Sequence, residues 1–321
     1  MSDLSVSSGA AENVLNTGQT LGKRRRRRRT REDWVMDTIV TVVMLFVILV
    51  TVYPFYYVII QAFNNGMDST LGGMYFYPRR PTLDNFITLL SDASWGRALF
   101  VSVARTVVGT FLGVFVTSAV AYALSFENIL FRGFYYKVYI FTMYFGGGII
   151  PFYAVIKNLG LINTFWVYVI PGMLGVYYML ILVNFFQSIP RSLYESAWLD
   201  GAGDIRVFLQ IALPLSKASL ATVALFYAVG QWNSWMDSVY YITKDELRPM
   251  AYMMMQIVNK FSAAAAMDNA QSAGYAASAM ESTTTSLQMA AMVLGVVPIL
   301  AVYPFLQKYF VKGVMIGSVK G

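Results

Sequence analysis

Long stretches without charged residues constrain this chain more than any other feature. From Thr38 to Phe63 no charged side chain occurs. A helix of about 20 apolar residues crosses the hydrocarbon core of a bilayer, so this stretch is long enough to span it. The whole chain is 57% hydrophobic and only 13% charged, outside the usual range of soluble globular domains. The sequence therefore predicts an all-α integral membrane protein.

Six stretches of this kind occur along the chain. The predicted spans cover residues 34–63, 98–124, 134–156, 164–186, 219–239 and 286–309. An even number of spans returns the chain to the side on which it started. Basic residues flank both ends, and the positive-inside rule places them in the cytoplasm. We therefore predict six transmembrane helices in a cytoplasmic (inner) membrane, with cytoplasmic N- and C-termini.

Most of the net charge of +7 lies in an N-terminal tail. Residues 1–31 carry eight basic residues against Asp3 and Glu12, which gives the tail +6. A basic run can bind nucleic acid, bind anionic lipid or orient a neighbouring membrane helix. Its closeness to the first span favours orientation, and no nucleic-acid partner is expected. The tail is predicted to be largely disordered, and residues 32–321 to form the transmembrane domain.

The residue types that perform most enzyme chemistry are missing. The chain contains no cysteine and no histidine. It therefore lacks thiolate metal ligands, a cysteine nucleophile and the commonest general base. We predict no catalytic residue, no metal site and no enzymatic activity in this chain.

A polar hairpin, residues 188–217, separates the fourth and fifth predicted spans on the cytoplasmic side. It contains Glu195–Ala197, then Gly201 after three residues, then Ile211, Leu213 and Pro214 after nine more. The candidate docking residues are Glu195, Ser196, Ala197, Asp200, Gly201, Ala202, Phe208, Ile211, Leu213 and Pro214.

These residue types suit a docking surface between two short helices. Small side chains let a partner backbone approach closely, and Gly201 permits a tight bend because it tolerates positive φ. Asp200 is expected to cap the following helix or to accept hydrogen bonds near its N-terminus. Phe208 and Leu213 contribute to an apolar face, and Pro214 is expected to end the segment before the chain re-enters lipid.

The hairpin pattern resembles the cytoplasmic EAA motif of permease subunits in binding-protein-dependent ABC importers, with Ser196 in place of the usual alanine. Residues 97–240 and 303–313 are similar to the carbohydrate branch, and more narrowly to the second permease of maltose-type oligosaccharide systems. The resemblance implies that the hairpin is a coupling helix that docks on a separate ABC ATPase dimer, which binds ATP and Mg²⁺. It also implies a homologous permease partner, an extracytoplasmic solute-binding protein and import of an oligosaccharide by alternating access.

Two other classes remain as alternatives. A secondary transporter or channel for a polar solute would need coupling carboxylates, and the cores of the six predicted spans contain no Asp or Glu. A membrane-embedded enzyme of lipid-linked sugars would need clustered acids or histidines at a membrane face. The acids nearest such a face already belong to the hairpin.

The third predicted span contains a candidate pathway element. Gly146, Gly147 and Gly148, followed by Pro151, are expected to break the helix within or near the bilayer. Non-helical backbone at that depth is tolerated where protein buries it or a watery cavity meets it. Tight helix packing through glycine is an equal alternative.

The fifth span ends in aromatic and amide residues that suit sugar rings. Trp232 and Trp235 offer ring faces, and Asn233 offers hydrogen bonds. An interfacial aromatic belt explains the same residues slightly better. Arg105 interrupts the second span, and the sequence favours snorkelling toward the outer interface over a position facing a cavity. In a cavity it would favour an acidic or heavily hydroxylated sugar.

Overall fold

The computed structural model describes residues 31–268 and 285–301. Its α-helices are α1 (Arg31–Ala62), α2 (Gly66–Thr70), α3 (Asp84–Ser91), α4 (Ala93–Ser125), α5 (Arg132–Tyr144), α6 (Ile149–Asn158), α7 (Val176–Ser188), α8 (Arg191–Leu199), α9 (Asp204–Val207), α10 (Leu213–Leu215), α11 (Lys217–Asn233), α12 (Met236–Tyr241), α13 (Met250–Asp268) and α14 (Thr285–Ala301). A π-helical segment, Phe208–Ala212, joins α9 to α10. No β-strand forms within the described residues, as the sequence predicts.

Two helices are long and apolar enough to cross a bilayer without a break. α1 has 32 residues and α4 has 33, and they correspond to the first and second predicted spans. The chain divides into two compact units, and the boundary falls within α1: the first unit ends at Phe55 and the second begins at Tyr56. The apolar side chains of the first unit are exposed along the helix, which suits a helix surrounded by lipid.

The third predicted span, 134–156, is not one helix. α5 and α6 meet at an angle of 116°, and the residues between them include Gly147 and Gly148 with φ of 65° and 90°. Side chains strongly disfavour this left-handed conformation, whereas glycine adopts it freely. The helix break predicted at these glycines is confirmed.

The fourth and fifth predicted spans are also interrupted. The segment 164–186 begins with 3₁₀ turns at Phe165–Tyr168 and Ile170–Gly172 and bends by 47° before α7. Pro171 lies in the second 3₁₀ turn, just before this bend, and its missing N–H disfavours a continuous α-helix through the segment. The segment 219–239 is helical only to Asn233, where α11 ends, and resumes at Met236. With each bent helix pair taken as one span, the described residues hold up to five spans, so six stays a prediction.

Several predictions concern residues that the structure does not describe. Residues 1–30 of the basic tail lie outside the described part of the chain, and Arg31 is the first residue of α1. So do residues 269–284, residues 302–309 of the sixth predicted span and the segment 303–313, which resembles the carbohydrate branch of the permeases. The side on which each terminus lies also stays a prediction.

α4 is the central helix of the second unit and packs closely against α11. A Cβ atom on Gly109 would lie 2.7 Å from Nε2 of Gln231, and one on Gly113 would lie 2.6 Å from Cε1 of Tyr227. Two small residues four positions apart let membrane helices approach closely. The pair therefore brings the side chains of Gln231 and Tyr227 directly against α4.

An aromatic cluster joins the hairpin to the long helices. Tyr122 of α4 has its ring centroid 5.9 Å from Phe186 of α7, 6.0 Å from Tyr194 of α8 and 5.1 Å from Phe208. All four residues are buried. Because each ring belongs to a different helical segment, the cluster holds the hairpin against α4 and α7.

A polar network orders the segment that follows α1. Asn64 is fully buried, and its amide donates to Oδ2 of Asp68 at 2.9 Å. This hydrogen bond is the main cause of the lowered pKa of Asp68, and the pairing with Arg79 adds to it. Asn85 donates to the backbone oxygens of Ala62 and Asn64. These bonds tie the start of α3 to the end of α1.

Candidate functional site

The first limb of the hairpin is α8, which ends in a Schellman motif at Gly201. The Gly201 N–H donates to the Trp198 oxygen at 3.0 Å, and the Ala202 N–H donates to the Ala197 oxygen at 2.9 Å. Gly201 has φ of +84°, a conformation that costs other residues about 1–2 kcal/mol. The tight bend predicted at Gly201 is confirmed.

Asp200 does not cap the following helix, and this prediction is wrong. Asp200 is the C-terminal cap of α8, where its N–H donates to the Ser196 oxygen at 3.0 Å. The Schellman turn uses the next two residues, so Gly203 becomes the N-cap of α9. Trp198 Nε1 donates to Oδ1 of Asp204 at 3.0 Å and thereby links α8 to α9.

The second limb runs through α9, the π-helical segment and α10, and then bends sharply. The limb from Asp204 to Leu215 meets α11 at 86°. Pro214 lies in the first turn of α10, and the bend comes at buried Ser216, whose N–H donates to the Ala212 oxygen at 3.1 Å. The bend therefore comes two residues beyond Pro214, where the segment was predicted to end.

The apolar face of the second limb packs against the transmembrane helices. Phe208 is buried beside Tyr122, and Ile211 and Leu213 are half-buried against the same cluster. These three docking candidates thus anchor the hairpin from within and do not present an apolar face to a partner.

The outward face of the hairpin combines small, polar and large apolar side chains. The exposed docking candidates are Glu195, Ser196, Asp200, Gly201 and Pro214, while Ala197 and Ala202 are half-buried. Leu199 is 88% exposed and Ile205 is 76% exposed, on either side of the Gly201 turn. The sequence reasoning missed both residues. The available signal was a large apolar side chain on each side of the glycine in a polar segment.

Arg191 fastens the start of the hairpin to the end of α4. Its Nη2 donates to the Ser125 oxygen at 2.7 Å, and its guanidinium carbon lies 4.8 Å from the ring centroid of Phe126. The hairpin is thus held to α4 by a charged hydrogen bond as well as by the aromatic cluster. A displacement of α8 would be passed directly to α4.

A second candidate site is a cavity of about 310 Å³ on the α4–α11 side of the unit. We call it the aromatic cavity because six aromatic residues line it: Phe152, Tyr168, Tyr178, Phe226, Tyr227 and Tyr241. Arg105, Gln231, Ser234 and Asp237 supply polar groups. The Tyr227 hydroxyl is held by Thr117 Oγ1 at 2.7 Å and by the Gly175 N–H at 2.7 Å.

Arg105 is buried, so the predicted snorkelling toward the interface is wrong. The residue is only 1% exposed, and its Nη2 lies 2.5 Å from Oδ2 of Asp237. Nε and Nη2 both donate to Oε1 of Gln231, and Nη1 donates to the Ser234 oxygen at 3.0 Å. A nearby carboxylate and a broken helix end supply the partners that an isolated helix would lack. The guanidinium also lies 4.2 Å from the ring centroid of Tyr168.

The glycines of the third span do not line the aromatic cavity. Gly146, Gly147, Gly148 and Pro151 are exposed, and a Cβ atom on any of the three glycines would meet nothing within 4 Å. Close packing within this chain therefore does not explain them. The next residue, Phe152, does line the cavity, and a role of the break in the pathway stays a prediction.

The three sugar-contact candidates of the fifth span lie away from the cavity lining. Trp232 Nε1 donates to the Gly295 oxygen of α14 at 3.0 Å, Asn233 is exposed, and Trp235 occupies the break before α12. Gln231 and Asp237, which flank them in sequence, line the cavity instead. No sequence signal marked Tyr178 or the other cavity tyrosines, because aromatic residues in a span equally suit lipid.

The acidic residues of the described part do not gather into a metal centre. Within residues 31–268 and 285–301 no three Asp or Glu side chains form a group that could hold a metal ion. Asp237, the acid of the aromatic cavity, is paired with Arg105. The arrangement therefore offers hydrogen bonding and ring stacking to a polar solute.

Known proteins resemble this chain over most of its length. It is 39% identical to Protein LplC of Bacillus subtilis (strain 168), over 85% of this chain and 90% of that protein. It is 36% identical to the polygalacturonan/rhamnogalacturonan transport system permease protein YtcP of the same organism, over 89% of this chain and 98% of that protein. A chain from the crystal structure of a bacterial ABC transporter that imports the acidic polysaccharide alginate shares 25% identity, with a TM-score of 0.78 over 88% of this chain and 99% of that chain. No protein-family model matches.

Proposed function

This chain belongs to the family of permease subunits of ABC sugar importers, and we propose that it carries an oligosaccharide into the cytoplasm through the cytoplasmic membrane. It pairs with a homologous permease to enclose the pathway. An extracytoplasmic solute-binding protein delivers the sugar to the outer segments, including residues 64–97. The six predicted spans, with both termini inside, place the hairpin in the cytoplasm.

The work of transport comes from another polypeptide. An ABC ATPase dimer binds ATP and Mg²⁺, and its closure displaces the hairpin. Glu195, Ser196 and the turn at Gly201 form the docking face, with Leu199 and Ile205 inserting into the ATPase surface. Large apolar side chains that protrude from a small-residue surface suit such an interface, because the small neighbours let the partner approach closely.

The rigid attachment of the hairpin is the observation that carries this proposal. The hairpin is attached to α4 and α7 by Arg191 and by the buried rings of Tyr194 and Phe208. Its two limbs are joined by the Trp198–Asp204 hydrogen bond. A flexible loop would absorb a displacement, whereas this hairpin transmits it to helices that border the aromatic cavity. Alternating access follows from that motion.

A secondary transporter is less well supported. Such a protein needs a carboxylate that changes its protonation or ion binding during the cycle. The acid of the aromatic cavity, Asp237, is committed to Arg105 at 2.5 Å. Family membership also disfavours this alternative and the sugar-lipid enzyme.

Gly201→Asp tests the coupling. The substitution forces a charged side chain into a left-handed turn and onto the docking face. We expect sugar-stimulated ATP hydrolysis by the complete importer in proteoliposomes to fall at least about tenfold, which corresponds to about 1.4 kcal/mol. The measurement is the rate of phosphate release with and without the loaded binding protein.

Gly133→Asp is the matched control. Gly133 lies in the first turn of α5, where φ is not positive and a Cβ atom would meet nothing within 4 Å. An acidic residue is favourable at that end of a helix. We expect stimulation to stay at the wild-type level in this variant. Full stimulation in Gly201→Asp would overturn the docking proposal.

A further inference from the structure

On the premise of the proposed function, we infer that the aromatic cavity receives one neutral sugar ring and disfavours a uronate. Its volume of about 310 Å³ lies at the lower end of the range of about 300–1,000 Å³ for ligand pockets. A single ring fits such a space better than a whole oligosaccharide does. The cavity therefore acts as a subsite that the saccharide passes one unit at a time.

The aromatic faces supply attraction without charge. Tyr178 and Phe226 stack with their ring centroids 5.8 Å apart and their planes 9° apart, and Phe226 is 42% exposed. The face of an aromatic ring carries negative partial charge. It attracts the weakly positive C–H surface of a sugar ring and offers nothing to a carboxylate.

The arginine of the cavity is unable to bind a substrate carboxylate in this arrangement. A guanidinium has five N–H donors, and Arg105 makes five hydrogen bonds, to Gln231, the Ser234 oxygen and Asp237. Its side chain is 1% exposed, whereas that of Asp237 is 21% exposed. A solute in the cavity therefore meets the carboxylate before it meets the cation.

Asp237 has acceptor capacity left for a hydroxyl group. Its Oδ1 accepts from Arg105 and from the Ser238 N–H, and its Oδ2 accepts from Arg105 alone. Each carboxylate oxygen can accept two hydrogen bonds, so Oδ2 can accept one from a sugar hydroxyl. The same oxygen repels a uronate through its negative charge. The cavity thus favours a neutral sugar, whereas relatives reported above are named for polygalacturonan/rhamnogalacturonan and for alginate.

The direct test compares two sugars that differ only in oxidation at C6. Galactobiose and digalacturonate are titrated into the detergent-solubilised complex with its partner subunits, without binding protein, and affinity is measured by calorimetry. We expect galactobiose to bind at least about tenfold more tightly, the scale of one charge-assisted hydrogen bond. Digalacturonate binding equally well or better, or binding of neither sugar, would overturn the inference.

Two variants locate the effect. Asp237→Asn removes the charge, and we expect the preference for galactobiose to fall at least about fivefold, whereas Asp245→Asn, an acid 83% exposed on the surface, leaves the preference unchanged. Tyr178→Leu keeps Arg105 and Asp237 intact and should weaken galactobiose binding at least about fivefold through lost stacking. Wild-type galactobiose affinity in Tyr178→Leu would place the sugar elsewhere.

The outcomes separate this subsite from the coupling proposal. Unchanged sugar-stimulated ATP hydrolysis in Gly201→Asp, together with the expected sugar preference, would refute the docking proposal but not the subsite. Loss of coupling in Gly201→Asp together with a preference for digalacturonate would refute the subsite alone.

Discussion

At the scale of single residues, Arg105 carries two roles with one side chain. It forms an ion pair with Asp237, and it donates to the Ser234 oxygen at the broken end of α11. Carbonyl groups at a helix end need a partner, because lipid cannot provide one. The guanidinium therefore supplies a hydrogen-bond donor to a backbone carbonyl that the interruption between α11 and α12 leaves without a helical partner.

A double-mutant cycle tests this pairing. We expect Asp237→Asn alone to lower the free energy of unfolding by about 3–5 kcal/mol, because it leaves the buried guanidinium of Arg105 without its carboxylate partner. Arg105→Gln should cost less, because the carboxylate that it leaves unpaired is 21% exposed. The double variant should lose less than the sum, since no buried charge remains. The measurement is thermal unfolding of the solubilised protein, with Asp245→Asn as the surface control. A loss equal to the sum would show that the two residues act independently.

At the scale of elements, the contact of α4 with α11 depends on two glycines. Gly109 and Gly113 leave room for Gln231 and Tyr227. Neither side chain is free to move away: Gln231 is bonded to Arg105 and to the Tyr168 oxygen, and Tyr227 to the Gly175 N–H. The packing of this helix pair consequently sets the shape of the aromatic cavity.

Gly113→Ala should disturb the packing directly. The new Cβ atom would lie 2.6 Å from the Tyr227 ring, and such overpacking costs about 1–3 kcal/mol. Gly96→Ala on the same helix has open space at its Cβ, and alanine favours a helix over glycine by about 1 kcal/mol. We expect thermal unfolding to shift downward for Gly113→Ala and to stay or rise for Gly96→Ala. Equal shifts would contradict the packing role.

At the scale of the whole molecule, the topology assigns each loop to one side of the membrane. The segment after α1 and the loop between α4 and α5 lie on opposite sides if α4 crosses the bilayer once. Because the chain contains no cysteine, a single introduced thiol is the only site on this chain that a maleimide can label.

Leu71→Cys and Leu130→Cys form a matched pair for this test. Both leucines are well exposed, at 79% and 75%. A membrane-impermeant maleimide should label Leu71→Cys in intact cells and Leu130→Cys only after the cells are permeabilised. Labelling of Leu130→Cys in intact cells would show that the topology is the reverse of the predicted one. The hairpin would then lie on the outer side, where a cytoplasmic ATPase is unable to contact it.

Hydropathy predicted the helical class and the places of the long helices, because lipid leaves few alternatives for an apolar stretch of this length. The breaks were only partly predictable. Three consecutive glycines predicted the break between α5 and α6, whereas no glycine or proline lies next to the break at Ser234. The Ser234 oxygen at this break accepts a hydrogen bond from Arg105, which lies 129 positions away in sequence.

The sequence by itself determined the membrane character, the family resemblance of the hairpin and the bend at Gly201, since each rests on composition or on residues at fixed short spacing. Only the tertiary structure determined which side chains are buried and which are exposed. It turned Phe208 inward, exposed Leu199 and Ile205, and buried Arg105 against Asp237. The sequence shows which side chains are apolar and which are charged. Whether such a side chain is buried depends on whether another helix packs against it and supplies apolar contacts or hydrogen-bond partners. The orientation of these side chains is therefore set by packing between segments that are distant in sequence.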